Sequence, residues 1–252
     1  MSTIDTSLTL VVPVYNEERR IGECAPLLIH YIDEWAPSSR LLFVDDGSED
    51  ATPEKLKVII EESVSDKAEI VRRPHEGKGS AVRFGLRQSK TDVAAFCDLD
   101  LATPLDELSR LIELSRLREA LVVGSRAQFD SHILRHEARA REIAGRVFNK
   151  LVQILLCPGI KDTQCGAKAA PTWIWQMILQ VSIENGFAWD VEVIAEALLA
   201  SLEVVETGVR WSHDGRSRVN VGHDGIAMVL AVMKLKSRLM GRSIARKVNA
   251  VT

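Results

Sequence analysis

At 252 residues and a formal net charge of −3, the chain is long enough for one sizeable α/β domain and lacks the basic excess that draws a protein to nucleic acid. Hydrophobic residues at 46% and charged residues at 27% exclude a disordered or fibrous chain. Cys24, Cys97, Cys157 and Cys165 form no CxxC pair, which argues against a zinc site or a disulfide framework and reads as reduced thiols in a cytoplasmic protein.

In chain order, "LTLVVPV" (8–14) reads as a buried strand, followed by a helical stretch carrying Ile21, Leu27, Leu28 and Ile32 and by a second strand, "RLLFVDD" (40–46). A helix over about 52–64, a strand "EIVRR" (69–73), a helix opened by "EGKGSAV" (76–82) and a strand "VAAFC" (93–97) come next. Residues 106–118 read as helix and "ALVVG" (120–124) as strand. The second half is mostly helical, with apolar periodicity over 143–156, 172–181 and 191–199. A strand at "LEVVETGVRW" (202–211) interrupts it, and a helix over 224–240 follows.

Continuous apolar strands alternating with helices predict an α/β fold, a Rossmann-like, mostly parallel sheet with helices on both faces. Ligands of such sheets bind outside the carboxyl ends of the strands. The polar residues there are Tyr15, Asn16 and Glu17 after the first strand, Asp45 and Asp46 after the second, Asp98 and Asp100 after the fourth, and Ser125 and Arg126 after the fifth.

"DLDLATP" places two aspartates at i and i+2, and on an extended backbone they point to one side. Hard carboxylate oxygens so arranged suit Mg²⁺ or Mn²⁺ bridging to the phosphates of a nucleotide. The plainer reading is a cap for the helix signalled by Thr103 and Pro104. Tyr15 is placed to stack on a base, and Glu17 to accept hydrogen bonds from a ribose or base. "GKG" sets Lys78 between glycines at a helix N-terminus, where backbone N–H groups and the dipole welcome a phosphate.

The ordered set "VVPVYNEE", "VDDGSEDAT", "GKGSAVRFG", "DLDLATP", "VGSRA", "DTQCGAK" and "WDVEV" resembles glycosyltransferase family 2, and within it the dolichyl- or polyprenyl-phosphate glycosyltransferases. The resemblance spans about residues 8–220 and implies a GT-A fold. It also implies an inverting transfer of a hexose from a nucleotide diphosphate sugar, UDP favoured over GDP, to polyprenyl phosphate. By position, Pro13, Tyr15, Glu17, Asp45, Asp46, Lys78 and Asp98 are the expected donor-binding set, Asp98 and Asp100 the metal ligands, and Asp100 a catalytic residue. "GAKAA" (166–170) and the run Arg216, Ser217, Arg218, Val219 depart from the family pattern and bear on sugar and acceptor identity.

An acceptor hydroxyl needs a general base, whereas a phosphomonoester, with a second pKa of about 6, is already anionic. Asp190 and Glu192 are the base candidates for the first case, against a plain role in the first turn of a helix. For the second, Arg135, Arg139 and Arg146 fall on one helical face at about 100° per residue, and Arg126, Arg216 and Arg218 are set to converge on the same opening. Asp162, Gln164 and Lys168 of "DTQCGAK" are expected to order an acceptor pocket. The expected phosphate-binding set is therefore Arg126, Arg139, Arg146, Gln164 and Arg218. Two other readings are a hydroxyl acceptor with Asp190 as base and a nucleotide-sugar-binding protein without turnover. A nucleotidyltransferase is disfavoured because "VVPVYNEERR" has no glycine loop.

The expected organisation is a GT-A domain over 1–223, with a nucleotide-sugar half (about 1–126) and an acceptor half (127–223), and a basic amphipathic helix and tail over 224–252. Neither a signal peptide nor a spanning helix is expected, the longest uncharged stretch (169–183) falling short of about 20 apolar residues. "GIAMVLAVM" (225–233) followed by Lys234, Lys236, Arg238 and Arg242 suits a peripheral contact with an anionic membrane at its inner face. Packing of Ile226, Val229, Leu230 and Met233 on the core is the competing expectation.

Overall fold

The computed structural model describes residues 6–135, 139–213 and 221–249, without the side chains of 139–141, 221–224, 226 and 243–249. The first half follows the expected order: β1 (Leu8–Val14), α1 (Ile21–Asp33), β2 (Arg40–Asp45), α2 (Thr52–Ser63), β3 (Ala68–Arg72), α3 (Lys78–Arg87), β4 (Val93–Cys97), α4 (Leu105–Arg118) and β5 (Leu121–Ser125). Then come β6 (His132–Arg135), α5 (Arg139–Leu155), β7 (Ala167–Pro171), α6 (Thr172–Leu179), α7 (Trp189–Leu199), β8 (Val204–Gly208), β9 (Arg210–Ser212) and α8 (Val221–Asn249).

The described strands form a seven-stranded sheet in the order β3-β2-β1-β4-β7-β5-β8 and a two-stranded pair, β6-β9. Six strands of the large sheet run parallel, and β7 lies antiparallel between β4 and β5. In β1 the side chains alternate between faces, yet all are apolar where they meet helices. Leu8, Leu10, Val12 and Val14 pack with α1 residues such as Leu28 and Ile32. Val11 packs with Ala81, Val82 and Leu86 of α3 on the other face. Each fully buried aliphatic side chain contributes roughly 1.5–3 kcal/mol relative to exposure, so two covered faces anchor the strand firmly. The strand order reverses between β1 and β4, and the crevice at that switch point lies outside the carboxyl ends of these two strands.

Three expectations are corrected here. "AKAAP" is a buried central strand in a half expected to be mostly helical, although it lacks the β-branched residues that usually announce one. The stretch 202–211 divides into β8 and β9, which belong to different sheets. Arg135 ends strand β6, so it shares no helical face with Arg139 and Arg146.

Helix α8 packs on α5 and α7 through Val232, Leu235 and Leu239, a different register from the expected one, and leaves Leu230, Met233 and Met240 exposed. Two of its basic residues are committed to α7: Arg238 pairs with Glu192, and Arg242 with Glu196. Among the described residues no helix is long and apolar enough to cross a membrane.

Candidate functional site

A cleft of about 430 Å³ opens at the switch point, lined from β1 and the turn after it by Pro13, Val14, Tyr15 and Glu17, from the β4 turn by Asp98, Leu99 and Asp100, and by Lys78 at the start of α3. Arg20, Asp46, His75, Gly77, Gly186 and Phe187 complete the wall.

The turn after β1 is held by the loop after β2. The Asn16 N–H donates to Ser48 Oγ (2.8 Å), the Glu17 N–H donates to Thr52 Oγ1 (2.7 Å), and Asn16 Oδ1 accepts from the N–H of Glu49 (2.8 Å). Asn16 pays for this with a φ of 55°, a conformation that asparagine tolerates better than most residues. Tyr15 is thereby presented at the mouth, stacked on His75 with centroids 4.1 Å apart and planes 17° from parallel.

The two aspartates after β2 separate. Asp45 is fully buried, accepts from the Ser48 N–H (3.2 Å) and pairs with Arg72 Nε (3.4 Å), so it shapes the turn and does not face the cleft, against the expectation. Asp46 lines the cleft and also fixes its floor. Its carboxylate accepts from the N–H groups of Glu76 (3.0 Å) and Gly77 (2.8 Å) and pairs with His75 Nδ1 (2.8 Å). Gly77 has a φ of 112°, and a β-carbon there would lie 2.6 Å from the Asn185 carbonyl oxygen, so glycine is required to bring Lys78 in.

Asp98 and Asp100 do not continue an extended strand; β4 ends at Cys97, and the pair sits in a turn closed by Leu101 at φ 50°. Asp100 Oδ1 accepts from the Ala102 N–H (3.1 Å), and its Oδ2 lies 3.9 Å from Arg20 Nη1. Arg20, nearly buried, also pairs with Glu17 (2.5 Å), tying the two strand ends together. Burial and the charge of Asp98 push the Asp100 carboxyl above the usual range, only partly opposed by the Ala102 N–H, Arg20 and Lys78. Burial alone would lower the Lys78 ammonium, but Asp98 at 2.6 Å and Asp190 at 3.7 Å override it and raise it, so Lys78 stays charged.

This donor set fits a small hard cation. Among the described residues no cluster of three or more His, Cys, Asp or Glu is placed to hold a metal. Mg²⁺ and Mn²⁺ need only one or two carboxylates when phosphate oxygens and water complete the shell. The excess negative charge that raises Asp100 is what such a cation would offset.

Asp190 is 2% exposed and bonded to Lys168 Nζ at 2.5 Å, and Lys168 is itself fully buried. Neither side chain lines the cleft, so Asp190 is not placed as an open general base and Lys168 does not order an acceptor pocket. Glu192 is also buried. It accepts from the Ser182 hydroxyl (2.6 Å) and from the N–H groups of Ile183 and Glu184 (3.0 Å each), a structural role.

Of the expected phosphate-binding residues, Arg126 and Gln164 meet at Asp162, whose Oδ1 accepts from the Gln164 N–H (3.1 Å), and neither they nor Arg146 line the cleft. Arg126 is held by Asp162, with Nε to Oδ2 at 2.7 Å and Nη2 to Oδ1 at 3.0 Å, and lies over the Trp211 ring. Arg146 is 80% exposed and pairs with Glu142 (3.7 Å). Gln164 reaches the Phe187 carbonyl (3.4 Å) and so touches the cleft wall indirectly. The Arg139 side chain, Arg216 and Arg218 lie outside the described residues. Ser125 is buried and its hydroxyl accepts from the Ala127 N–H (3.1 Å).

Arg20, His75 and Phe187 were not expected. Arg20 follows the "YNEE" run within one helical turn, a signal that was available; His75 and Phe187 reach the cleft only through tertiary packing.

The family model for Glycosyl transferase family 2 matches residues 9–170. The chain is similar to a dolichyl-phosphate beta-glucosyltransferase of Dictyostelium discoideum, 27% identical over 244 residues, 92% of this chain and 75% of that one. Another dolichyl-phosphate beta-glucosyltransferase, from Mus musculus, is 30% identical over 223 residues, 81% of this chain and 67% of that one. Glycosyltransferase AglD of Haloferax volcanii is 27% identical over 252 residues; the match takes in 97% of this chain but spans 39% of that protein. Among solved structures, glucosyl-3-phosphoglycerate synthase from Mycobacterium tuberculosis in complex with Mn²⁺, UDP-glucose and phosphoglyceric acid superposes with a TM-score of 0.66 at 18% identity, covering 92% of this chain and 80% of that one.

Proposed function

The chain belongs to glycosyltransferase family 2 and has the GT-A fold, and from that premise we propose that it moves a hexose from a UDP-sugar to polyprenyl phosphate with inversion at the anomeric carbon. The observation that carries this reading is the meeting, in one cleft, of the Tyr15–His75 stack, the Asp98–Asp100 pair and the Lys78 ammonium. The relatives named as dolichyl-phosphate glucosyltransferases support the acceptor class, and the solved structures with Mn²⁺ and UDP-glucose support the donor and the metal.

In this reading Pro13, Tyr15, Glu17 and Asp46 hold the base and ribose, with Tyr15 supplying an aromatic face. Lys78 and the N-terminus of α3 face the diphosphate. A Mg²⁺ or Mn²⁺ ion held by Asp98 and Asp100 would offset the charge of the departing diphosphate. The lipid phosphate oxygen bonds to the anomeric carbon from the face opposite the breaking bond to the diphosphate, and UDP leaves.

The burial of Asp190 favours this acceptor over a hydroxyl. Its carboxylate is occupied by lysines on both oxygens, so it is poorly placed to take a proton from a nucleophile in the cleft, and an anionic phosphate needs no such base. We further propose that the exposed Leu230, Met233 and Met240 of α8 rest against a membrane carrying the lipid.

The test is turnover of UDP- and GDP-sugars with Mn²⁺ and either a short polyprenyl phosphate or the matching polyprenol. Product from UDP-glucose and the phosphate, of inverted anomeric configuration by NMR, is expected. Turnover with the alcohol alone would overturn the reading.

A further inference from the structure

Lys78 stands between two carboxylates of different kinds. Asp98, 2.6 Å away, has a side chain 36% exposed in the cleft. Asp190, 3.7 Å away on its other side, is sealed from solvent and shares its charge with Lys168, whose Nζ lies 2.5 Å from Oδ1 and donates to the Cys165 carbonyl at 2.9 Å. Four charges therefore form a continuous series from the core strand β7 to the cleft: Lys168, Asp190, Lys78 and Asp98. Taking a lysine wholly out of water is costly unless it is paired, and Asp190 is the carboxylate that Lys168 meets there.

The series has a consequence for the cleft. Lys78 already occupies one oxygen of Asp98, the carboxylate that a divalent cation would claim, and Lys78 must yield that oxygen for a cation to take it. Asp190 Oδ2 is a second anionic partner already near Lys78. The strength of its pull depends on how much of the Asp190 charge Lys168 takes.

Resting on the metal reading above, we propose that Lys168 is a positioning residue: acting through Asp190 it sets how strongly Lys78 is drawn away from Asp98, and so how open Asp98 is to a divalent cation. Lys168 touches no substrate in this picture. Asp190 is the partner that receives Lys78 when Asp98 is given up.

The experiment is Mn²⁺ uptake by the intact protein, followed by electron paramagnetic resonance with and without UDP, with thermal unfolding as the check on folding. Lys168→Met frees the Asp190 charge for Lys78, and Mn²⁺ binding tightens by about tenfold, within the usual range for coupled sites. Asp190→Asn leaves Lys78 to Asp98, and Mn²⁺ binding weakens by a similar factor. The bare field of these charges would give the same two signs, so the decisive comparison is made in a Lys78→Met background. There, the effect of Asp190→Asn disappears if the influence runs through Lys78. An effect of Asp190→Asn that is equally large with and without Lys78 overturns the inference and leaves the proposed function standing. Absence of Mn²⁺ uptake by the unaltered protein, even with UDP, removes the metal reading and this inference together. If Lys168→Met does not fold, the pair Asp190→Asn and Lys78→Met carries the test alone.

Discussion

Gly166 lies flush against the carboxylate of Asp98: a β-carbon at position 166 would fall within the van der Waals shell of Asp98 Oδ2, and the Gly166 carbonyl accepts the Asp98 N–H at 3.0 Å. The loop leading into β7 thus forms a wall against which the first cleft aspartate is set. Gly166→Ala is expected to displace Asp98 and reduce turnover by about a hundredfold, the usual cost of a misplacement near 1 Å. Steady-state kinetics beside thermal unfolding would separate this from loss of fold; unchanged kcat/KM would show that Asp98 need not sit where it does.

Asp100 is one of the two carboxylates proposed to hold the metal. Asp100→Asn should lower kcat by roughly a hundredfold to a thousandfold, comparable with losing one charge-stabilising group in a preorganised site. A chelator should silence the unaltered enzyme, with recovery on adding Mn²⁺. Full activity in the chelator would remove the metal from the mechanism.

Stacking at the mouth predicts a different kinetic signature. Tyr15→Ala removes the aromatic surface paired with His75 and should raise the donor KM about tenfold with little change in kcat, since base contacts are equal in the ground and transition states. A fall in kcat with an unchanged KM would place Tyr15 nearer the chemistry.

The pair Arg126–Asp162 predicts a pH dependence of stability. Burial alone would raise the Asp162 carboxyl, but the Arg126 guanidinium and its hydrogen bonds reverse this and hold it at about 2, below the ordinary 3.8. A carboxyl depressed in the folded state stabilises it above the unfolded pKa, so this contribution of roughly 2 kcal/mol is present above about pH 4 and is lost as pH falls towards 2. Arg126→Gln strands a buried carboxylate, and should destabilise the fold at neutral pH by about 3–5 kcal/mol while flattening the loss between pH 4 and 2. Circular dichroism melts across that range would check it.

The exposed stripe of α8 predicts flotation with liposomes containing anionic lipid. Leu230→Glu with Met233→Glu should leave the protein in the soluble fraction at unchanged melting temperature, because neither side chain is buried. Flotation that survives this double change would assign the contact to another surface.

The first half of the fold was legible because each parallel strand is covered on both faces, which forces an uninterrupted apolar run with polar residues directly after it. Tyr15, Glu17, Asp46, Asp98 and Asp100 follow from those strand ends, Lys78 from the glycine-bracketed helix start and Pro13 from the family resemblance, and the structure brings all seven to one cleft. Asp45 was misread because adjacent residues at a strand end point in opposite directions, and only its neighbour faces the opening.

Local pattern by itself determined the alternation of strands and helices and the polar residues delivered at the strand ends, since hydrophobic period and strand-end position are properties of short stretches of chain. Tertiary structure alone decided that "AKAAP" is an antiparallel strand in the centre of the sheet, that Lys168 is buried against Asp190, and that Arg126 belongs to Asp162. Those outcomes depend on which distant charge fills the space beside a given side chain. A buried lysine and a surface lysine are spelled alike in the sequence, and only the partner brought in by the fold tells them apart.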